Sequence, residues 1–229
     1  MILAVDTGNS NIVLGCMEGL EIRHTLRLKT DRATSAAGYT VTLQAALAQA
    51  GFSVAGFEGG ILSSVVAAVT EPLRQDQPET IGADLIAAAE GALAQYAPPL
   101  VLIDMGTATT FSVLDKSGAF LGGAIAPGVQ LGAEALTQRT GLPMTELSAP
   151  QSPLSHSTTD CLRSGIIYGA AAMVDGMLDR LETALGTPIT TIATGGLAHC
   201  VIPHCRRPVT LDDQLLLRGL AVMYRREMT

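Results

Sequence analysis

The sequence contains no tryptophan, and with four tyrosines and four phenylalanines its aromatic residues make up only 3% of 229 residues. Hydrophobic residues nevertheless account for 48% of the chain, and 24 positions are glycine. Since large rings are scarce, the core is predicted to be aliphatic and closely spaced. Such a composition is typical of α/β proteins, in which helices cover both faces of the sheets.

Basic residues are also few. The chain has 14 Lys and Arg against 21 Asp and Glu, which gives a formal net charge of −7. Proteins that bind nucleic acids need clustered cations to neutralise phosphates. Only Arg206-Arg207 and Arg225-Arg226 are adjacent pairs, and such isolated pairs usually solvate a surface. The sequence therefore predicts no nucleic-acid partner.

Long apolar runs and regular cysteine spacing are missing as well. No stretch has the roughly 20 uncharged residues that a membrane helix needs, and the N-terminus does not look like a secretory signal. The four cysteines form no CxxC pair, and the His199-Cys200 and His204-Cys205 dipeptides do not have the usual spacing of a zinc site. These features predict a reduced, cytoplasmic protein with no membrane partner.

A P-loop, GxxxxGK[ST], is absent too, but a different phosphate-binding pattern occurs twice. Residues 2–5 form an apolar run that ends at Asp6 and is followed by a polar glycine turn and a second apolar run. Residues 100–103 repeat the arrangement before Asp104, which lies 98 positions later (104 − 6). This repeat predicts two domains, 1–98 and 99–229, each opened by a β-hairpin.

The turns of these hairpins are suited to phosphate. Glycine and small hydroxyl residues let backbone N–H groups approach a phosphate, and the neighbouring Asp provides a carboxylate for Mg²⁺ or for an activated hydroxyl. One Asp-x-Gly turn alone is more often an ordinary hairpin turn, but two of them can hold a nucleotide triphosphate from both sides. Thr194-Gly195-Gly196, after a predicted strand at 189–193, adds a glycine turn at a strand end, where open α/β sheets bind ligands. Alone, it would be read as a structural turn.

Taken in order, the motifs resemble those of type III pantothenate kinases over most of the chain. The matching stretches are Asp6-Thr7-Gly8-Asn9-Ser10-Asn11, Ser63-Ser64-Val65-Val66, Gly82-Ala83-Asp84, Asp104-Met105-Gly106-Thr107-Ala108-Thr109-Thr110, Gly122 to Gly128, Leu142-Pro143, Thr194-Gly195-Gly196-Leu197-Ala198 and Leu217-Arg218-Gly219-Leu220. The resemblance implies a fold of duplicated actin-like (ribonuclease H-like) ATPase domains, each with a mixed sheet flanked by helices. It also implies transfer of the ATP γ-phosphoryl group to pantothenate, the first step of coenzyme A synthesis, by a homodimer that uses Mg²⁺ and a monovalent cation, K⁺ or NH₄⁺.

The resemblance also implies roles for particular residues. The ATP-binding set comprises Asp6, Thr7, Gly8, Asn9, Ser10, Asn11, Ile12, Val13 and Thr107, and the glycine turn adds Gly195 and Gly196. Asp84 would accept the proton of the pantothenate hydroxyl, and Asp104 would ligate the monovalent cation. Pantothenate would contact Gly82, Ala83, Asp84, Leu85 and Thr158, with Thr158 at a site completed by the second protomer.

The chain departs from the family on the acceptor side. Leu85 stands where the family has Arg, and Leu cannot form the bidentate contacts of a guanidinium. Gln75 stands in place of an expected tyrosine, Ser112 in place of an Asp, and Ser155-His156-Ser157-Thr158 in place of Gly-Lys-Asn-Thr. The stretch between Val66 and Gly82 is also shorter than in the family.

Because of these departures the sequence leaves three functions open: a working pantothenate kinase, a non-catalytic paralogue that binds a nucleotide or a partner, and a kinase for another alcohol. Asp84 is either a general base or only a helix cap, and His156 is more simply a solvated loop residue than a base. Two further predictions concern arrangement. The two hairpins are expected to face one cleft. Helices at 129–138 and 161–185 are expected to form the dimer interface, since residues 166–174 are apolar on nearly every face, although burial of that stretch inside the monomer is an equal alternative.

Overall fold

The computed structural model describes residues 1–64 and 82–228. The chain divides into two compact units, unit 1 with residues 1–95 and 214–229 and unit 2 with residues 96–213. Each unit contains one mixed β-sheet with helices, so the predicted α/β class is confirmed.

Unit 1 has a four-stranded sheet in the order β3-β2-β1-β4. Its strands are β1 (Ile2–Thr7), β2 (Asn11–Glu18), β3 (Glu21–Lys29) and β4 (Gly59–Ser64). Strand β1 is antiparallel to β2 and parallel to β4. The first hairpin is therefore the centre of this sheet, as the apolar runs around residues 2–14 predict.

Unit 2 has a five-stranded sheet in the order β7-β6-β5-β8-β9. Its strands are β5 (Leu100–Met105), β6 (Ala108–Leu114), β7 (Phe120–Pro127), β8 (Thr190–Thr194) and the short β9 (Thr210–Leu211). Strand β5 is antiparallel to β6 and parallel to β8, which repeats the pairing of β1 with β2 and β4.

The α-helices are α1 (Ala36–Gln49), α2 (Ala83–Leu93), α3 (Val129–Thr140), α4 (Thr158–Leu185), α5 (Ala198–Val201) and α6 (Leu215–Glu227). Two short 3₁₀ segments, Val54–Gly56 and Ile202–His204, accompany them. Within residues 1–64 and 82–228, no helix is long and apolar enough to cross a membrane.

Helix α4 is the main helix of the unit 2 core, although it is buried on one face only. Residues at helical spacing on that face pack into the core that also contains Val101, Ile103 and Phe111 of the sheet: Ile167, Ala171, Val174 and Leu178. On the other side of the helix, Gly165, Gly169 and Ala172 are exposed. The monomer therefore buries only part of the stretch 166–174, whose sequence is apolar on nearly every face.

The C-terminal helix α6 belongs to unit 1. Leu217, Leu220 and Ala221 pack with Ile2 and Ala4 of β1. The domain bounds predicted from sequence, 1–98 and 99–229, place this helix with the second half instead. The amphipathic pattern of a helix shows that one face is buried, but not which sheet covers it, and here the chain returns to its first sheet after completing the second.

Helices α2 and α6 cross at two glycines. A Cβ atom on Gly219 would collide with the backbone carbonyl of Ala87, and a Cβ atom on Gly91 would collide with the carbonyl of Leu215. The helix backbones therefore approach more closely than any side chain allows. This contact fixes α6 on the helix that carries Asp84.

Candidate nucleotide and acceptor site

The two hairpins place their aspartates at equivalent positions. Asp6 is the fifth residue of the six-residue strand β1, and Asp104 is the fifth of the six-residue strand β5. Each aspartate has one antiparallel neighbour and one parallel neighbour in its sheet. The same arrangement of strands around an aspartate therefore occurs in both units.

In unit 1, the residues that pair with Asp6 on the two neighbouring strands include one with a buried hydroxyl. Asp6 is paired with Val13 on β2 and with Ser63 on β4. Ser63 is only 1% exposed, and its Oγ has no hydrogen-bond partner among the described residues. Since a buried hydroxyl normally finds a partner, this position beside Asp6 is suited to a polar ligand.

The turn after Asp6 is fixed by the loop that follows β3. The Gly8 N–H donates to the Asn11 carbonyl at 2.9 Å, which closes the turn. Thr30 donates its N–H to the Ser10 carbonyl at 3.0 Å and its hydroxyl to the Gly8 carbonyl at 2.7 Å. The turn is thereby held in one conformation, with Asn9 and Ser10 exposed at its tip.

In unit 2 the row around Asp104 has a threonine on each side. Asp104 is paired with Thr110 on β6 and with Thr194 on β8. Gly195, with φ of 95°, follows Thr194, and a Cβ atom on it would collide with the Asp104 carboxylate and lie 2.6 Å from the Met105 nitrogen. Only glycine fits this position, so the glycine turn predicted for the nucleotide lies directly against the predicted cation ligand.

The second hairpin turn lies against the start of helix α3. The Gly128 N–H donates to the Thr107 carbonyl at 3.1 Å, and Gly128 is the N-cap residue of α3. A Cβ atom on Gly128 would collide with the Thr107 carbonyl. The exposed Thr107 is therefore next to a helix N-terminus, whose partial positive charge favours anions.

Asp84 lies in the first turn of α2 and is half-buried. Its Oδ1 accepts the N–H of Leu85 at 2.8 Å, while its Oδ2 has no hydrogen-bond partner among the described residues. The N-cap position belongs to Gly82, which makes no side-chain bond. One carboxylate oxygen thus contributes to capping, and the other can accept a proton.

Thr158 is the first residue of α4 and is exposed. Ser157 caps the helix, since its Oγ accepts the Asp160 N–H at 3.1 Å. The preceding loop is tied to α4 where Arg163 donates to the Ser148 carbonyl at 3.0 Å and the Ser164 hydroxyl donates to the Pro153 carbonyl at 2.6 Å. Thr158 therefore stands on a fixed helix end.

A polar pocket of about 560 Å³ lies beside this helix end. Arg163 and Asp160 line it, together with the loop residues 149–152 and 154–157. The exposed His156 belongs to this lining, at the position where the resemblance expects Lys.

The donor groups fit hard cations better than zinc. No group of three or more His, Cys, Asp or Glu comes together in the described parts of the chain, so a metal ion there would take further ligands from phosphate or water. Burial raises the pKa of the Cys205 thiol to about 12, with the Asp175 charge adding to the shift, so this cysteine is a poor zinc ligand. Mg²⁺ usually binds one or two carboxylates and completes its shell with phosphates and water, and Asp6 at the hairpin turn meets that requirement.

The predicted residues fall into two groups by unit. Asp6 to Val13 and the 82–85 stretch belong to unit 1, whereas Asp104, Thr107, Thr158, Gly195 and Gly196 belong to unit 2. Gln75 and the shortened stretch between Val66 and Gly82 lie outside the described residues. The expectation that the hairpins face one cleft concerns the two units together and stays a prediction.

Sequence reasoning did not select several residues that the structure brings to the hairpins. Ser63 is one, and Thr109 is another, since its buried Oγ1 also has no hydrogen-bond partner among the described residues. Both lie in the motifs that carry the family resemblance, but only the strand register shows which residues they lie beside. Arg32 is a third, because its guanidinium donates to the Asn9 side chain at 2.7 Å.

Comparison with protein families gives one match, the type III pantothenate kinase model, over residues 2–76 and 71–180. A type III pantothenate kinase of Exiguobacterium sp. is 36% identical over 99% of both chains, and one of Acidiphilium cryptum is 36% identical over 97% of this chain and 94% of its own. The first alignment spans 252 positions, more than the 229 residues of this chain.

Solved structures share the fold. Component A of (R)-2-hydroxyglutaryl-CoA dehydratase from Acidaminococcus fermentans has a TM-score of 0.68 at 14% identity, covering 100% of this chain and 99% of its own. A ROK hexokinase from Thermus thermophilus has a TM-score of 0.57 at 15% identity, with the same coverage. The predicted actin-like fold is confirmed by these neighbours. On the strength of the sequence matches along its whole length, the chain belongs to the type III pantothenate kinase family.

Proposed function

We propose that this protein transfers the γ-phosphoryl group of ATP to the primary hydroxyl of pantothenate, giving 4′-phosphopantothenate and ADP. Full-length similarity to curated type III pantothenate kinases supports this reaction. The structural observation that carries it is the duplicated hairpin, with an aspartate at the same strand position in each unit.

On the donor side, Asp6 and the fixed turn after it hold the ATP phosphates. The stretch from Asp6 to Val13 supplies the carboxylate and the small polar residues, and Thr107, Gly195 and Gly196 are proposed as further nucleotide-binding residues. Mg²⁺ bound at Asp6 would neutralise charge on the phosphates. Positioning and electrostatic stabilisation account for most of the catalysis of phosphoryl transfer.

On the acceptor side, Asp84 takes the proton. The pantothenate hydroxyl oxygen forms a bond to the γ-phosphorus, the bond from that phosphorus to the β,γ-bridging oxygen breaks, and the hydroxyl proton passes to Asp84. The Oδ2 atom, which has no hydrogen-bond partner among the described residues, supports this role. Gly82, Ala83, Leu85 and, from the second protomer, Thr158 complete the acceptor contacts in this proposal.

Asp104 is proposed to hold the monovalent cation, K⁺ or NH₄⁺. The support is chemical, since a carboxylate flanked by the threonines Thr110 and Thr194 offers oxygen donors on one row of the sheet. The close packing of Gly195 against the carboxylate keeps that carboxylate in place.

We further propose a homodimer in the cytoplasm. The surface of unit 2 carries large apolar side chains on β7 and α3, with Ile125 82% exposed and Leu131 47% exposed. Beside them is an apolar groove of about 430 Å³ between α3 and α4. A second copy that covers these helices would remove this surface from water. All four cysteines are free thiols, which is typical of reducing compartments.

The test separates the donor from the acceptor. ATP and pantothenate binding are measured independently by calorimetry, and formation of 4′-phosphopantothenate is followed by mass spectrometry with and without K⁺. We expect both ligands to bind and product to form. ATP binding without pantothenate binding would instead support a nucleotide-binding paralogue, and product only with another alcohol would change the acceptor.

A further inference from the structure

The first hairpin turn has no cation of its own. Residues 1–22 contain neither Lys nor Arg, although the turn at residues 7–11 is proposed to hold a triphosphate. A polyphosphate carries several negative charges, and proteins usually meet them with Lys or Arg as well as with backbone N–H groups. The cations for this site must therefore come from elsewhere in the fold.

Strand β3 provides two of them on the required face. Asp6 is paired with Val13, and Val13 is paired with Arg27, so these three residues form one cross-strand row. Directly opposed residues of neighbouring strands lie on the same face of a sheet. Arg27 therefore projects from the same face as Asp6, about 10 Å away at two strand spacings. Two rows further along, and therefore on the same face, Lys29 is paired with Asn11.

Arg32 provides a third cation, at the tip of the turn. Its guanidinium donates to the Asn9 Oδ1 at 2.7 Å. The loop that carries it is well supported, because the Asp31 carboxylate accepts the Ala33 N–H at 2.9 Å and the Asp31 N–H donates to the Tyr39 hydroxyl at 2.7 Å. The Ala33 hydrogen bond lowers the pKa of Asp31, followed by that of Thr34, so this acid is already engaged in the loop.

These cations are available for a ligand. Arg27, Lys29 and Arg32 are all exposed, and none forms an ion pair with an acidic residue within 4.0 Å in the described parts of the chain. Arg23 differs, since at the far end of β3 it pairs with Glu18 at 2.7 Å and with Glu21 at 2.8 Å. In a chain of net charge −7, these three cations outnumber the two acids next to the turn, Asp6 and Asp31, although the charge of Lys29 also acts on Asp31.

We propose that Arg27, Lys29 and Arg32 form a cationic rim that binds the polyphosphate of the nucleotide at the first hairpin. The inference rests on the proposed kinase function and adds to it the residues that determine affinity for the phosphates. Arg32 binds phosphate oxygens while it holds Asn9, and Arg27 and Lys29 approach the same phosphates from the sheet face of Asp6. The rim acts on ground-state affinity, so it affects KM for ATP more than kcat.

The test uses the full-length protein and compares Arg27→Gln, Arg32→Gln and Lys29→Gln with the matched control Arg23→Gln on the same strand. Dissociation constants are measured for ATP, inorganic tripolyphosphate and adenosine. We expect each arginine variant to weaken ATP and tripolyphosphate about tenfold, the loss of roughly one charge-assisted contact. We expect a smaller loss for Lys29→Gln, no change for adenosine, and wild-type values for Arg23→Gln. Arg27→Lys should recover most of the affinity.

Steady-state kinetics distinguish this proposal from the proposed function. With an active wild type, the arginine variants should raise KM for ATP about tenfold and change kcat less than twofold. Wild-type ATP and tripolyphosphate affinities in both arginine variants would overturn the rim while the kinase stands, and so would an equal loss of adenosine binding, which indicates a distorted fold. A wild type that binds ATP through the rim but phosphorylates no pantothenate would overturn only the kinase.

Discussion

In the proposed reaction the acceptor chemistry depends on Asp84, whose two carboxylate oxygens differ in their surroundings. Oδ1 accepts the N–H of Leu85, whereas Oδ2 has no hydrogen-bond partner among the described residues. An Asp→Asn change keeps an oxygen for the first contact and removes the basic oxygen. The capping and catalytic roles can therefore be separated.

For Asp84→Asn we expect turnover to fall by about a hundredfold or more, since a positioned general base contributes roughly 10²–10⁴-fold. ATP affinity should stay at the wild-type value, and the melting temperature should change little. The control is Glu90→Gln, which removes a second carboxylate from the same helix. Glu90 forms an ion pair with Arg226 on α6 at 2.6 Å and has no proposed role in the reaction. Wild-type turnover in Asp84→Asn would leave Asp84 as a helix cap only.

Two glycines with positive φ angles form a matched pair that can test the close packing around Gly195. Gly195 has φ of 95° and no room for a Cβ atom, whereas Gly186, at the end of α4, has φ of 65° and open space around it. Alanine at either position costs about 1–2 kcal/mol for the backbone conformation. At Gly195 the collision with Asp104 and Met105 adds about 1–3 kcal/mol.

We therefore expect Gly195→Ala to lower the free energy of unfolding by about 3 kcal/mol and Gly186→Ala by half of that or less. Urea denaturation at constant pH gives both values. If Gly195→Ala folds, its kinase activity should also depend less on K⁺, since the collision displaces the Asp104 carboxylate. Equal losses in the two variants would contradict the close packing at Gly195.

At the scale of elements, the loop after Ile202–His204 is attached to helix α4 by acidic side chains. The Asp175 carboxylate accepts the backbone N–H groups of Arg206 and Arg207, and the Arg207 guanidinium pairs with Glu182 at 2.6 Å. The Arg207 hydrogen bond, followed by the Ile189 N–H, lowers the pKa of Glu182. The contact therefore depends on the ionised form of Glu182.

We expect Arg207→Gln to destabilise the protein at pH 7 relative to wild type. Because the folded pKa of Glu182 is below its usual value of 4.5, its contribution is present above pH 4.5 and is lost as the pH falls through the folded value. The stability difference should therefore shrink below pH 4.5. Thermal melts from pH 3 to 7 measure this stability difference. The control is Arg180→Gln, which lies on helix α4 as Glu182 does. A difference that is constant with pH would assign the effect to packing.

Which elements could be predicted depended on whether their information is local. The Asp-x-Gly turns and the apolar runs at 2–5 and 100–103 predict both hairpins, since alternation and turn residues are local properties. The rim residues Arg27 and Lys29 could not be selected, because the imperfect alternation of β3 does not fix its register on β2, which also shifts between Cys16 and Met17. The sequence at 214–226 predicts a helix, but the sheet that helix α6 covers depends on contacts more than 100 residues away.

Helix α4 offers a position at which the proposed dimer can be tested. Gly169 is exposed on this helix, and a Cβ atom on it would have open space. A large side chain should therefore fit the isolated protomer and fail only where a second copy packs against the helix. Gly56 in unit 1 is also exposed with open space around it.

We expect the wild type to have about twice the 23.7 kDa chain mass in solution, and Gly169→Arg to be monomeric while its circular dichroism spectrum stays unchanged. Light scattering after size exclusion at micromolar concentration measures the mass, and Gly56→Arg should remain dimeric. If Thr158 acts across the interface, Gly169→Arg should also lose affinity for pantothenate. A wild type that is monomeric at this concentration would contradict the dimer.

The position of helix α6 has a consequence for how the protein is made. Unit 2 is one continuous stretch of chain, but unit 1 needs Leu217, Leu220 and Ala221, which the ribosome adds only after all of unit 2. Domains generally fold as units during synthesis, the N-terminal one first. Here the order is reversed, since unit 2 can complete its core while the sheet of unit 1 still lacks a helix. A nascent chain that has not yet reached residue 214 therefore leaves the apolar face of the first hairpin uncovered while unit 2 is already complete.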